Sequence, residues 1–295
     1  MWDQRVTAVV INWNLKETTS QCLRSLERIG PSCHVILVDN GSQDGSVDYL
    51  AARFPSVEII PLVENTGFGA ACNRAIQSAL EREGCQYILL INNDAVMAPN
   101  ALTKLMEAAE SFPETGIFGP KVYYQDKPDR IWYAGARMRR GVLAATGTGR
   151  GQVDRGQFDH PIPVDYVFGA AMLVRREVFD CVGLFDESFF LYLEDLDLCL
   201  RARKLGFSLL FVPQACVWHI GSASTEGDLD LRKYHYIKST IIFLKKHLSR
   251  AVAPIALVFW SAVLLRMVFF DLLRGNLRVV DTCWTALISG LSEVQ

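Results

Sequence analysis

Four apolar segments in the first hundred residues each stop in amide or carboxylate side chains, and this repeated ending constrains the chain more than any other feature. "VTAVVINW" (6–13) runs out at Asn12 and Asn14, and "HVILVD" (34–39) at Asp39 and Asn40. "VEIIPL" (57–62) is followed by Asn65, and "YILLI" (87–91) runs into Asn92, Asn93 and Asp94. Between and after them, residues 18–29, 47–54, 70–82 and 99–111 read as helices, the last with Pro99 near its first turn. Apolar strands interleaved with helices predict an α/β chain whose mostly parallel sheet is covered on both faces. In such sheets ligands bind beyond the carboxyl ends of the strands. One polar ending would mean little; four in succession predict a site.

From Gly116 the pattern changes. "GIFGPKVYY" (116–124) and "IWYAGARM" (131–138) read as strands, and residues 141–163, rich in Gly, Arg and Asp, as a long loop. Residues 164–207 give a strand, a short helix, a loop and a longer helix; "SLLFVPQACVWHIGSAS" (208–224) gives two short strands and a polar loop. Beyond lies a tail of different character. Arg232, Lys233, Lys238, Lys245, Lys246 and Arg250 occur with no acid among residues 232–250, and an apolar run from Ala251 to Leu265 follows, then Arg266 and "MVFF". That run approaches the about 20 residues a membrane span requires. The flanking cations fit an anionic leaflet, and the plainer alternative is a helix packed on the protein's own core. The predicted division is residues 1–230 as one unit, with a nucleotide-binding part (1–115) and an acceptor and catalytic part (116–230), and residues 231–295 as membrane-associating helices.

Composition narrows the function classes. A formal net charge of -2 argues against a nucleic-acid partner. The 8 cysteines include no C-x-x-C pair, which argues against a zinc site, and they sit mostly in apolar stretches, as buried thiols do in a reducing compartment. "MWDQRVTAVVINWN" reaches polar residues too soon for a signal peptide. The expected location is therefore the cytoplasm, peripheral on the inner face of the membrane.

Several motifs carry chemistry. Asp39 in "VDNGSQDGS" (38–46) can accept a hydrogen bond from the imide N–H of a pyrimidine, while an Asx turn is the plain reading. Gly67 and Gly69 in "ENTGFGAACNRAI" (64–76) open a helix whose N–H groups can face phosphate, but on local evidence alone a tight turn with close helix packing is the better reading. Asp94 offers a hard anionic oxygen suited to Mg²⁺ or Mn²⁺ carrying a diphosphate, with Asn92 and Asn93 available to ribose or phosphate. Glu194, Asp195 and Asp197 start a helix, where the macrodipole stabilises anions by about 0.3–1 kcal/mol. The preceding "FFLYL" walls them with apolar groups, which makes them candidates for a general base. His219 follows a strand; a lone histidine is more often structural than a ligand.

In their order and spacing, "VVINWN", "VDNGSQDGS", "ENTGFGAACNRAI", "LLINNDAVM", the 167–207 stretch and "VWHIGSAS" resemble the family 2 glycosyltransferases, and most of all their rhamnosyltransferase-like branch. The resemblance implies the GT-A fold and an inverting transfer from a nucleotide-diphosphate sugar to a saccharide or polyprenyl-linked saccharide. It implies that Asn12 and Asp39 line the base and ribose pocket, that Asn14 also binds substrate, and that Asn65, Gly67 and Asn73 form the floor under the diphosphate. It implies Asp94 and His219 as ligands of Mg²⁺ or Mn²⁺, Asp195 as catalytic base with Glu194 beside it, and "FGAAM" (168–172) as the sugar and acceptor wall. One departure stands out: the family's acidic motif often holds two or three carboxylates, and here it is Asn92-Asn93-Asp94. The competing readings are a nucleotidyltransferase, which should carry a Gly-rich loop where this chain has "NWNLKETT", and a nucleotide-sugar-binding scaffold without turnover.

Overall fold

The computed structural model describes residues 5–29, 33–139, 141–221 and 229–293. The start of the N-terminal stretch (1–4) and the "SAS" of the 208–224 motif lie outside the described residues. The first half alternates strands and helices: β1 (Val6–Asn12), α1 (Lys16–Arg28), β2 (His34–Asp39), α2 (Ser46–Arg53), β3 (Glu58–Pro61), α3 (Phe68–Glu81), β4 (Tyr87–Asn92), β5 (Ala95–Met97) and α4 (Ala101–Ser111). The second half holds β6 (Thr115–Tyr124), β7 (Ile131–Tyr133), β8 (Ala136–Arg139), β9 (Ala144–Gly147), β10 (Ile162–Pro163), β11 (Ala171–Arg175), α5 (Arg176–Val182), α6 (Glu194–Lys204) and β12 (Ser208–His219). Three helices close the chain: α7 (Leu229–His247), α8 (Ala253–Leu273) and α9 (Val279–Ser292).

The main sheet runs β10-β12-β6-β11-β4-β1-β2-β3. Strands β1, β2, β3, β4, β6 and β12 share one direction, and β11 runs against its neighbours β4 and β6. Successive residues of β1 feed opposite faces: Val9 and Ile11 join one core, and Val6, Ala8 and Val10 join the other. Burial on both faces is why these strands read as unbroken apolar runs rather than alternating ones.

Three local readings change. The two short strands expected in 208–219 are one strand, β12, bent by a register shift between Val212 and Cys216 where Pro213 interrupts the ladder with β6. The 131–138 segment splits into β7 and β8 at Gly135, whose φ of +92° turns the chain. The long loop 141–163 contains β9, which pairs with β8, and β10, which pairs with β12.

The tail departs further from expectation. Lys233 pairs with Asp271 at 2.7 Å, Lys238 with Glu293 at 2.6 Å, and Lys246 with Asp186 and Asp197 at 2.6 and 2.9 Å. These cations hold α7 onto α6, α8 and α9 rather than standing free for lipid. Asp197, wholly buried, also receives Arg201 and His247, each at 2.7 Å. Burial pushes its carboxyl up, but these partners hold it down at about 2. The ionised form therefore adds stability at pH values above its ordinary 3.8, lost as pH falls through about 2. In contrast, α8 does not pack into the core. Val258, Leu265 and Leu273 are each at least two-thirds exposed, and the 21-residue helix contains an 18-residue stretch of mean hydropathy 2.0.

Candidate active site

The polar strand ends build two layers. The lower is a buried relay in which Asn93 Nδ2 donates to Thr19 Oγ1 (2.9 Å), Thr19 Oγ1 to Asn12 Oδ1 (2.6 Å), and Asn12 Nδ2 to Asp39 Oδ2 (2.7 Å). Ser42 N donates to the other Asp39 oxygen at 2.9 Å. Asn12 and Asp39 are almost wholly buried, and their hydrogen bonds lock the ends of β1, β2 and β4 into one rigid platform. Asn14, exposed and with φ of +53°, accepts from Gln43 N at 2.7 Å and staples the loop after β1 to the turn after β2. Asn73 is also turned away from the cleft: its amide holds Phe185 N and O, at 3.0 and 2.9 Å, beneath the 184–193 strap.

The upper layer faces a cavity of about 480 Å³. Asn65, Gly67, Asn92, Asn93 and Asp94 line it from the sheet side, together with Asn40, which bonds Asn65 Oδ1 at 2.9 Å. Gly67 also carries a packing role: a Cβ there would lie 2.6 Å from Phe190 O, so the close helix packing expected of this glycine and its place in the cleft coexist. Phe168, Gly169 and Ala170 of the 168–172 stretch line the cavity, whereas Ala171 and Met172 are buried in the sheet.

Glu194 and Asp195 line the same cavity as Asp94 and His219. They enter it from the first turn of α6, after Tyr192 and Leu193 adopt left-handed φ angles of +71° and +68°. Two consecutive non-glycine residues in this region cost about 1–2 kcal/mol each. Ser239 Oγ to Leu191 O (2.7 Å) and Phe68 N to Phe190 O (2.8 Å) hold the strap against that strain. Asp195 accepts from Tyr166 OH (2.5 Å), Gly169 N (2.8 Å) and Leu196 N (2.7 Å). Burial pushes its carboxyl up, and these three donors work against that push. Glu194 Oε2 is buried without a partner, and burial followed by the Asp195 charge pushes its carboxyl to about 8. Both carboxyls are raised by burial, and because Asp195 collects three donors while Glu194 Oε2 has none, the pair's anion is favoured on Asp195.

Asp94 Oδ1 and His219 Nε2 lie 3.0 Å apart, and Asp94 Oδ2 accepts from Gly221 N at 3.2 Å. His219 Nδ1 is buried with no acceptor, and the edges of Trp132 and Phe168, at 5.0 and 5.8 Å between centroids, orient the ring. Among the described residues no three Asp, Glu, His or Cys side chains converge on a point. Two donors from protein suit a Mg²⁺ or Mn²⁺ that draws the rest of its shell from diphosphate and water, and neighbouring donors about 2.1 Å from such an ion are about 3.0 Å apart. The pair fits that metal.

Sequence reasoning missed Tyr166 and the Gly169 N–H as the groups holding Asp195, although both lie in the quoted 164–207 stretch. It also missed Asn40 as a lining residue, and Leu231, His235 and Tyr236 of α7. A glycine whose Cβ would stand 2.7 Å from Asp195 Oδ2 gives a direct check. Gly169→Ala is expected to leave the circular dichroism spectrum and melting behaviour close to wild type while lowering turnover by about 10²-fold, the lower end of general-base contributions. Turnover within twofold of wild type would show that the Asp195 position is not critical.

The comparisons with known proteins identify the family and the fold. The family model described as Glycosyl transferase family 2 matches residues 7–183, and the chain belongs to that family of glycosyltransferases. It is 34% identical over 230 residues to N-acetylglucosaminyl-diphospho-decaprenol L-rhamnosyltransferase of Mycobacterium tuberculosis (strain ATCC 25618 / H37Rv), covering 71% of this chain and 74% of that one. With dTDP-rhamnosyl transferase RfbF of Shigella flexneri it shares 24% identity over 255 residues, 83% of this chain and 81% of that protein. Among solved structures, the mannosyltransferase PcManGT of Pyrobaculum calidifontis, in complex with GDP-Man and Mn²⁺, superposes with a TM-score of 0.59 at 13% identity, over 99% of this chain and 88% of that one. GalNAc-T7 with UDP, GalNAc and Mn²⁺ gives 0.58 at 18% identity, over 81% of this chain and 51% of that one. The GT-A fold expected from the sequence is thus the fold observed.

Proposed function

We propose that this glycosyltransferase moves a sugar, rhamnose from dTDP-rhamnose, onto a hydroxyl of a polyprenyl-linked saccharide by a single inverting displacement in cell-surface polysaccharide assembly. The observation that carries this reading is the shared cavity, lined both by Asp94 and His219 and by the Glu194–Asp195 pair. The activities of the mycobacterial and Shigella relatives support the choice of donor and acceptor.

Each group has a part that follows from its surroundings. The Asn40, Asn65 and Gly67 edge receives the nucleotide, with the buried Asn12–Asp39 platform fixing its shape. Asp94 and His219 would hold Mg²⁺ or Mn²⁺, which supplies positive charge to the departing diphosphate when bound. Asp195 takes the proton of the acceptor hydroxyl as its oxygen bonds the anomeric carbon and the bond to diphosphate breaks. Tyr166 and Gly169 favour the anion of that carboxylate against the push of burial and hold it in place, and a protonated Glu194 avoids a second charge beside it. No covalent enzyme intermediate is needed. The test is incubation with Mg²⁺ or Mn²⁺ and a panel of sugar nucleotides plus a polyprenyl-diphosphate saccharide. Nucleoside diphosphate release and product with one donor are expected; binding without release from any donor would favour a scaffold.

The reading keeps residues 1–230 as the transferase unit, to whose cleft α7 adds Leu231, His235 and Tyr236, and takes the rest of 231–295 as membrane-facing at the inner face of the membrane, with the cleft in the cytoplasm. Its support is apolar area, since the cations of α7 are paired inward. At 1.5 Å per residue α8 is about 31 Å long, close to the about 30 Å of a hydrocarbon core. Because α9 packs on α7 around Ile237 and Cys283, deleting the tail would strip that core. Val258→Glu with Leu265→Glu is the cleaner probe, both sites being exposed. The double variant is expected to stay in the supernatant when sedimented with anionic vesicles, and the wild type to pellet. Equal partition of the two would remove the membrane role of α8.

A further inference from the structure

We propose that α7 supplies an acceptor subsite, in which a hydroxyl of the acceptor's sugar ring bonds to the imidazole of His235 and the ring lies against Tyr192 and Tyr236. The inference rests on the transferase reading and extends it to a helix outside the matched family segment. His235 lines the cavity but is only 9% exposed, and its Nδ1 is buried with no partner in the protein. A polar ring so enclosed ordinarily finds a hydrogen bond. Here the ring is held by its faces and edges instead. It stacks on Phe190 at 4.7 Å and 15° and meets Tyr234 edge-on at 5.1 Å.

Three observations assign the occupant. Burial, then the charge of Lys238, lowers the proton affinity of His235, so the ring is neutral and suits a hydroxyl better than a phosphate. Tyr192 and Tyr236 stand 6.3 Å apart at 70° and both line the cavity. They offer the mixed apolar and polar surface that a sugar ring presents in return. Position decides between donor and acceptor. Tyr192 and Leu193 immediately precede the Glu194–Asp195 pair, and Ser239, one turn beyond His235, bonds the same strap at Leu191 O. This wall therefore adjoins the base, and the base must face the incoming hydroxyl.

The test uses the full chain in detergent with ¹⁵N-labelled histidine, the His235 signals assigned through His235→Gln. The probes are dTDP with Mg²⁺ and N-acetylglucosaminyl diphosphate carrying a short alkyl chain. The saccharide probe is expected to shift the His235 ring signals, while dTDP leaves them in place. Movement with dTDP alone, or no movement with millimolar saccharide probe, would overturn the subsite. In kinetics, His235→Ala is expected to raise the acceptor KM about tenfold, the value of one net hydrogen bond, with the donor KM within twofold and partial rescue in His235→Gln. A raised donor KM, or an unchanged acceptor KM, contradicts it. Absence of nucleoside diphosphate release by the wild type would strike the transferase reading, whereas release with an indifferent His235 strikes the subsite alone.

Discussion

Asp195→Asn is expected to lower sugar transfer by about 10²–10⁴-fold, the usual contribution of a positioned general base, while nucleoside diphosphate binding stays near wild type. The substitution is close to isosteric, and the carbonyl of Asn can still accept from Tyr166 and Gly169, so the α6 entry keeps its shape. What disappears is the anion that receives the acceptor proton. A second consequence comes from the pair. Glu194 is pushed to about 8 by burial and then by the Asp195 charge, and neutralising Asp195 removes the second cause. A raised carboxyl stabilises the fold at pH values below its ordinary 4.5 and loses that contribution as pH rises through about 8. The variant is therefore expected to lose less stability than wild type between neutral pH and pH 9, as read by thermal melts. Calorimetric titration with dTDP settles the binding half: donor affinity lost with turnover retained would assign Asp195 to the wrong substrate.

Asp94→Asn is expected to weaken the response to Mn²⁺ and to lower turnover by about 10²–10³-fold, the scale of removing one electrostatic stabiliser of a developing charge. An amide keeps an acceptor for Gly221 N and a contact with His219, so local structure survives while the hard anionic oxygen is lost. Because Asn92 and Asn93 carry no charge, no neighbouring carboxylate in this motif can substitute. Half-saturating Mn²⁺ should rise together with the loss of rate. An unchanged Mn²⁺ dependence would remove Asp94 from the metal site.

How much of this was legible in the sequence varied with the range of the interactions involved. The first four parallel strands were readable because each is buried on both faces and ends in polar groups at the sheet's ligand edge. The shared location of Asp94 and Asp195 was readable only through the order of motifs, since no local pattern joins residues a hundred positions apart. Asn12, Asp39 and Asn73 read as ligand residues from the order of the motifs, and their long-range hydrogen bonds within the protein have no local signal. The structure shows them tying strand ends and the 184–193 strap together, with Asn40 and Asn65 nearer the cavity. The tail shows the opposite limit. Its cations suggested lipid because the acids that pair with Lys233 and Lys238, Asp271 and Glu293, lie on later helices. The left-handed pair Tyr192 and Leu193 had no sequence signal, since neither is glycine, and the strap's anchors to α3 and α7 are long-range.

The central claim is that one anion, Asp195, deprotonates the acceptor as it displaces the diphosphate held on the Asp94 side of the same cavity. The most direct measurement is the anomeric configuration of the product by proton NMR, compared with that of the sugar nucleotide consumed. A configuration opposite to the donor's is the result expected of one displacement. A product with the donor's own configuration would require two displacements or a different mechanism, and would contradict the roles assigned to both acids.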